Sequence, residues 1–141
     1  MALKVNKSEL WSVAIDDRAG GAADKIEPLA NAGANFEFVF ARRTPENPGK
    51  GILFVAPIKG QKVVRAATAS GFTRSVEVSA LRVEGGSRPG IAAKMLHSLA
   101  DAGISFRGFS AAALGTKFVG YLAFDNAADA ARAAGLLRKV G

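Results

Sequence analysis

The chain contains no cysteine, which excludes disulfides, thiolate metal sites and thiol catalysis. Its one histidine, His97, falls outside the inward side of a helical pattern formed by Ala92, Met95, Leu96 and Leu99. That is the place of a surface residue rather than of a catalytic base. No spacing of His, Asp and Glu suggests converging metal ligands, and Asp16-Asp17 alone is a weak cation site. Neither a Walker loop nor a nucleophile elbow occurs. No apolar run reaches the roughly 18 residues of a membrane span. The start, Met1-Ala2-Leu3-Lys4-Val5-Asn6-Lys7, lacks the apolar stretch and cleavage site of a secretion signal. These absences point to a cytoplasmic, non-enzymatic protein with no metal and no cofactor.

What is present is enough to build a core. Of 141 residues, 49% are apolar, and the mean hydropathy is +0.15, so the chain is expected to fold. Nineteen basic residues against 12 acidic ones give a formal charge of +7. The basic residues are scattered, and only Arg42-Arg43 and Arg138-Lys139 are adjacent. Such scatter reads as a solvated basic surface, because nucleic-acid domains usually cluster their charge. A nucleic-acid partner is therefore not expected.

An internal repeat decides the organisation. Sliding the sequence by 70 positions superposes Val13 on Val83, Arg18 on Arg88 and Gly20 on Gly90. Ala22-Ala23 falls on Ala92-Ala93, Leu29-Ala30 on Leu99-Ala100, and Ala32-Gly33 on Ala102-Gly103. Phe36 meets Phe106, and Ala41 meets Ala111, making 11 identities over residues 12–41. Phe54 on Phe124 carries the register onward. Two copies then account for the length, giving linear halves 1–72 and 73–141.

Each copy reads as one supersecondary unit. In the first, alternation over Glu9–Asp16 predicts a strand. A helix follows over Gly20–Ala32, with Pro28 inside it and Gly33 as a left-handed cap. Strands are expected at Asn35–Arg42 and Ile52–Ala56, on either side of a polar loop at 43–50, and a helix at Lys59–Ser70. Phe36, Phe38 and Phe40 alternate and are expected to face the helices as core. The second copy gives strands at Ser75–Glu84, Ile104–Ala112 and Lys117–Phe124. Its helices fall at Pro89–Ala102 and Asn126–Val140, with Asn126 as N-cap.

Strand–helix–strand–strand–helix plus a closing strand is the ferredoxin-like split βαβ layout. The expected fold is α+β: two βαββαβ domains in tandem, each an antiparallel sheet with helices on one face. The closing strand of copy one should lie near Phe72–Ser75. Copy two has no counterpart after its second helix. The segment matching 72–75 in the repeat is Ala2–Val5, so Ala2–Asn6 is expected to complete the second sheet and spare it a free edge.

At Ser87-Arg88-Pro89-Gly90-Ile91 and Leu99-Ala100-Asp101-Ala102-Gly103-Ile104 the sequence resembles the ACT domain family. That family's pattern is a strand, an Asp-x-Pro-Gly turn, and a helix ending in Leu-Ala-x-x-Gly-Ile-Asn. The first copy matches with Asp17-Arg18-Ala19-Gly20 and Leu29-Ala30-Asn31-Ala32-Gly33-Ala34-Asn35. It departs at Ala19. The second departs at Ser87 and Ser105, which replace the aspartate and the asparagine. The resemblance implies a regulatory module that binds an amino acid or small carboxylate where two such domains meet. Its expected contacts are Asp17, Arg18, Gly20 and Asn35 in copy one, and Ser87, Arg88, Gly90 and Ser105 in copy two. It also implies a metabolic enzyme or regulator acted on in trans. Each half is small for a self-sufficient core, so the halves are expected to share an interface, and a homodimer is expected as well.

Physical chemistry supports that site independently. A glycine before a helix lets the backbone approach a ligand, and first-turn amides attract a carboxylate. Asn35 is expected near the same turn, where its amide would read both ends of an amino acid. Asp16 and Asp17 offer acceptors to an ammonium. The same glycines also suit a tight turn with no ligand, and Asp17 and Ser87 also suit helix caps. Gly21 and Gly85-Gly86 are expected to serve chain geometry alone. Two other functions stay open: a ferredoxin-like RNA binder, if the phenylalanines face solvent, and a purely structural assembly module.

Overall fold

A computed structural model describes residues 2–74 and 79–140. Along the chain lie β1 (Lys4–Ser8), β2 (Trp11–Asp16), α1 (Gly21–Asn31), β3 (Phe38–Arg43), β4 (Lys50–Ala56), α2 (Gln61–Ala69) and β5 (Thr73–Arg74). The second copy supplies β6 (Ser79–Gly86), α3 (Ile91–Asp101), β7 (Gly108–Leu114), β8 (Lys117–Phe124) and α4 (Ala127–Leu137). The strands form two four-stranded antiparallel sheets, ordered β3-β4-β2-β5 and β1-β6-β8-β7. This is the expected α+β tandem of ferredoxin-like domains. Of the strands expected at Phe72–Ser75 and Ser75–Glu84, residues 75–78 lie outside the described residues.

The chain divides into two compact units, Glu9–Ser75 and Met1–Ser8 with Val76–Gly141. The N-terminal strand thus closes the sheet of the second copy. β1 pairs antiparallel with β6, from Lys4 opposite Glu84 to Ser8 opposite Ala80. Leu3 and Val5 are buried in that unit's core at 4% and 3% exposure. Gly85 makes room for the approach, since a Cβ there would stand 2.6 Å from Leu3 Cδ2. The linear halves 1–72 and 73–141 differ from these units by the N-terminal strand and residues 73–75.

Apolar spacing explains both cores. In the unit Glu9–Ser75, Val13 and Ile15 alternate on β2, Leu53 and Val55 on β4, and Leu29 and Ala67 descend from the helices. Pro28 sits within α1 without ending it. It removes only the bond that would run to the carbonyl of Asp24. In the other unit, Ile91, Met95 and Leu99 recur at helical spacing on α3 and meet Leu81, Val83, Leu122 and Phe124. Asn126 caps α4, its side chain accepting from the Asp129 amide at 2.8 Å.

One expectation needs correcting. Phe36 packs against the core, but Phe38 and Phe40 do not continue it. β3 begins at Phe38, after a bend at Glu37. Phe40 pairs with Phe54, which alternates with buried Leu53 and Val55 and so lies on the face away from the helices. Phe40 is 42% exposed. Its ring lies 6.4 Å from that of Phe38, nearly parallel, and 6.3 Å from that of Phe54.

Candidate functional site

The turn from β2 into α1 takes its shape from two adjacent glycines. Gly20 is the N-cap of α1 with φ 86°, a left-handed conformation natural to glycine. Gly21 is buried against the strand it has just left, and a Cβ there would meet the Asp16 carbonyl oxygen at 2.1 Å. Gly21 N–H donates to Arg18 O at 3.1 Å, and Asp17 N–H donates to Gly49 O at 3.0 Å. The turn is thereby tied to the loop between β3 and β4.

Charged side chains ring the turn. Lys50 stands opposite Asp16 across the β2–β4 pair and donates to its carboxylate at 2.6 Å. That hydrogen bond and charge hold the Asp16 carboxyl below the usual carboxylate range. Arg18 donates to Asp24 at 2.7 Å, which raises its guanidinium pKa further, and its Nε lies 3.9 Å from Asp16. Between these groups is a concavity of about 410 Å³ lined by Ala14, Asp16, Arg18, Gly21, Asp24, Lys25 and Lys50. Ligand pockets usually occupy about 300–1,000 Å³. Three cations and two carboxylates thus face one small space.

The expected contacts separate on the structure. Arg18 lines the concavity and Gly20 shapes its entrance turn. Asp17 does not line it. Its carboxylate accepts from Arg43 Nε at 2.7 Å, and the helix cap is Gly20, with no side-chain cap. Asn35 is not near the turn, contrary to expectation. It follows α1, whose 11 residues span about 16 Å at 1.5 Å per residue. The strand it leads into starts opposite Ala56, at the Trp11 end of the sheet. The phrase after the helix is close to the turn in neither sequence nor space within one unit.

The second copy keeps the backbone, the arginine at Arg88 and a cross-strand lysine at Lys117, opposite Gly86, but neither carboxylate. Gly90 caps α3 with φ 85°, again with no side-chain cap, and Ser87 N–H donates to Thr116 O at 2.8 Å. Ser87 is exposed and caps nothing. Ser105 follows α3, as Asn35 follows α1, and is likewise a helix length from Gly90. Where copy one has Asp16, Asp24 and Lys25, copy two has Gly86, Lys94 and Met95. Met95 is fully buried in the core. Arg88 is half-buried, and among the described residues its Nη2 is enclosed without a hydrogen-bond partner.

Sequence reasoning did not single out Asp24, Lys25 or Lys50. Asp24 and Lys25 carried a usable signal, since both fall in the turn of helix just after a ligand-suited glycine. Lys50 carried none, because only strand register places it opposite Asp16. Among the described residues, no group of three or more His, Cys, Asp or Glu is placed to hold a metal ion. His97 is exposed.

The paired sheets and the glycine-capped helices give the chain the tandem ACT-like fold. Solved structures share it. A protein from Bacteroides thetaiotaomicron superposes with a TM-score of 0.77 at 18% identity, over 96% of this chain and 89% of that one. The ligand-free regulatory subunit of aspartate kinase from Thermus thermophilus gives 0.66 at 15% identity, over 99% and 97%. Escherichia coli aspartokinase III, solved with aspartate and ADP, gives 0.59 at 11% identity, with 96% of this chain matching 32% of that enzyme. No family model matches the sequence, and no curated protein matches it. Among the described residues, no helix is long and apolar enough to cross a membrane.

Proposed function

We propose that this chain is a non-catalytic regulatory protein of the cytoplasm. In this reading it binds a free amino acid at the Gly20 turn of the unit Glu9–Ser75 and acts in trans on a metabolic enzyme. The observation that carries the reading is the concavity of about 410 Å³ with Arg18, Lys25 and Lys50 facing Asp16 and Asp24. A zwitterion brings one charge for each set. Its carboxylate displaces an internal acceptor at Arg18 or Lys50, and its ammonium takes up the carboxylate so released. The Gly21 amide is already bonded to Arg18 O, so side-chain cations rather than that amide meet the ligand's carboxylate. Copy two lacks the equivalents of Asp16, Asp24 and Lys25, so one site per chain is proposed. Regulation of an enzyme accords with the likeness to a regulatory subunit of aspartate kinase, 97% of whose chain is matched.

A thermal-shift screen against the common amino acids and small organic acids tests this. A ligand at 100 times its Kd stabilises the fold by roughly 2.7 kcal/mol. For a unit of this size that is roughly 11–22 °C in Tm. No shift with any of them contradicts the proposal and favours a structural module. One observation favours a second reading: the exposed Phe40 beside Phe54 on the sheet face away from the helices offers a ring on which RNA bases stack. Retention on RNA that falls steeply with salt would carry that reading instead.

A further inference from the structure

Beside the concavity at the Gly20 turn lies a second one, of about 390 Å³, within the unit Glu9–Ser75. Its floor is the sheet face away from the helices. Ser12 and Ala14 alternate on β2 with buried Val13 and Ile15, and Ile52 stands opposite Ala14 on β4. Thr73 stands opposite Ser12 on β5. Thr44 and Asn47, from the loop between β3 and β4, also line the space. Main-chain bonds fix that loop: Thr44 N–H donates to Lys50 O at 3.1 Å, Asn47 N–H to Thr44 O at 2.8 Å, and Lys50 N–H to Asn47 O at 3.1 Å. The second copy fills the same face from within. Where copy one has Ser12 and Ala14, it has Arg82 and Glu84, which pair with each other, and Arg82 Nε also donates to the Tyr121 hydroxyl at 3.2 Å. Residues 115–116 alone join β7 to β8, where residues 44–49 join β3 to β4. Copy one thus has a small-residue floor, a loop for a wall, and polar groups left over. Among the described residues, the side chains of Ser12, Thr44, Asn47 and Thr73 make no hydrogen bond within the protein.

We infer that this concavity binds a neutral polyol of monosaccharide size. Charge narrows the class first. The lining holds one cation, Lys50, which already donates to Asp16 at 2.6 Å, and one anion, Glu46. A cationic ligand would meet Lys50 and an anionic one Glu46, so the charges favour a neutral ligand. Hydrogen-bonding character narrows it further. Three hydroxyls and a primary amide each donate and accept. A ligand engages all of them only if its own groups do both, as adjacent hydroxyls do. The Glu46 carboxylate adds an acceptor that bonds hydroxyls strongly. Ala14 and Ile52 supply an apolar floor on which the C–H face of a ring can rest. The volume lies within the roughly 300–1,000 Å³ of ordinary ligand pockets. Ala14 and Lys50 line both concavities, but the inference does not rest on the amino-acid reading.

Amide NMR titration of the full chain, free of amino acids, tests the inference with hexoses, pentoses and myo-inositol carried to millimolar concentrations. At least one of them is expected to give saturable shifts at residues 12–14, 44–47 and 71–73. Ser12→Ala with Thr73→Val removes two of the hydroxyls and is expected to raise the Kd of that sugar by about tenfold. No saturable shift with any member of the panel overturns the inference. Shifts confined to residues 16–25 also overturn it, since they put the sugar at the Gly20 turn, and so does a Kd indifferent to the double substitution. If the double variant does not fold, Asn47→Ala in the loop decides: weaker binding supports the site, and an unchanged Kd overturns it.

Discussion

Positions 21 and 91 occupy the same place in the two copies, yet their residues are not interchangeable. A Cβ at Gly21 would sit 2.1 Å from the Asp16 carbonyl oxygen, against 3.4 Å or more in ordinary contact. The obstacle is backbone of β2, so the start of α1 has to retreat by more than about 1 Å. That retreat breaks the 3.1 Å bond from Gly21 N–H to Arg18 O, a loss of about 1 kcal/mol. Overpacking adds about 1–3 kcal/mol, and the better helix propensity of alanine returns at most about 1 kcal/mol. Gly21→Ala is therefore expected to destabilise its unit by about 1–3 kcal/mol, and Gly21→Ile, which borrows the residue of copy two, by more. The reverse exchange fails for the opposite reason. Ile91 is 5% exposed in the core of its own unit. Ile91→Gly leaves a cavity costing about 2–5 kcal/mol and adds about 1 kcal/mol for glycine in a helix. Urea denaturation of the variants reads these differences directly. Gly21→Ala as stable as wild type, or more so, would refute the steric reasoning.

Four further outcomes are expected. Deleting residues 2–8 removes the buried Leu3 and Val5 and should destabilise the unit by about 3–6 kcal/mol at 1.5–3 kcal/mol per side chain; an unchanged urea midpoint contradicts the pairing of β1 with β6. Asn126→Ala removes the cap on the Asp129 amide and should cost about 1 kcal/mol, read by the same melt. Arg43→Ala breaks an exposed ion pair with Asp17 and should change stability by less than about 1 kcal/mol; a larger loss would show that the pair braces the turn. Lys50 depresses the Asp16 pKa, so the stabilisation from their pairing is present above the unfolded carboxylate pKa and is lost as pH falls through the folded one. Lys50→Met should raise the Asp16 titration midpoint seen by NMR, with Arg18 and Lys25 still lowering it, and an unmoved midpoint contradicts the assignment.

The fold was legible because duplication let each copy check the other. Gly20 and Gly90, aligned by the repeat, both prove to be left-handed caps, and the missing last strand of copy two pointed straight to Ala2–Asn6. Strand ends were less legible. Phe36, Phe38 and Phe40 alternate perfectly, but a bend at Glu37 parts the first from the other two, and alternation alone carries no mark of where a strand begins. The site was legible only where chemistry is local in sequence. Arg18 and Gly20 belong to one turn and line or shape the concavity. Asn35 was grouped with them through a family phrase, and a helix of 11 residues carries it away. Lys50 joins Asp16 through strand register, a property of pairing that no single segment contains.

The central claim is one amino-acid site per chain, at the turn of copy one. Isothermal titration with the amino acid that gives the largest thermal shift tests it most directly, on wild type, Arg18→Gln and Arg88→Gln. The expected result is one ligand per chain, lost in Arg18→Gln and kept in Arg88→Gln. Two ligands per chain, or binding that survives Arg18→Gln and fails in Arg88→Gln, would contradict it.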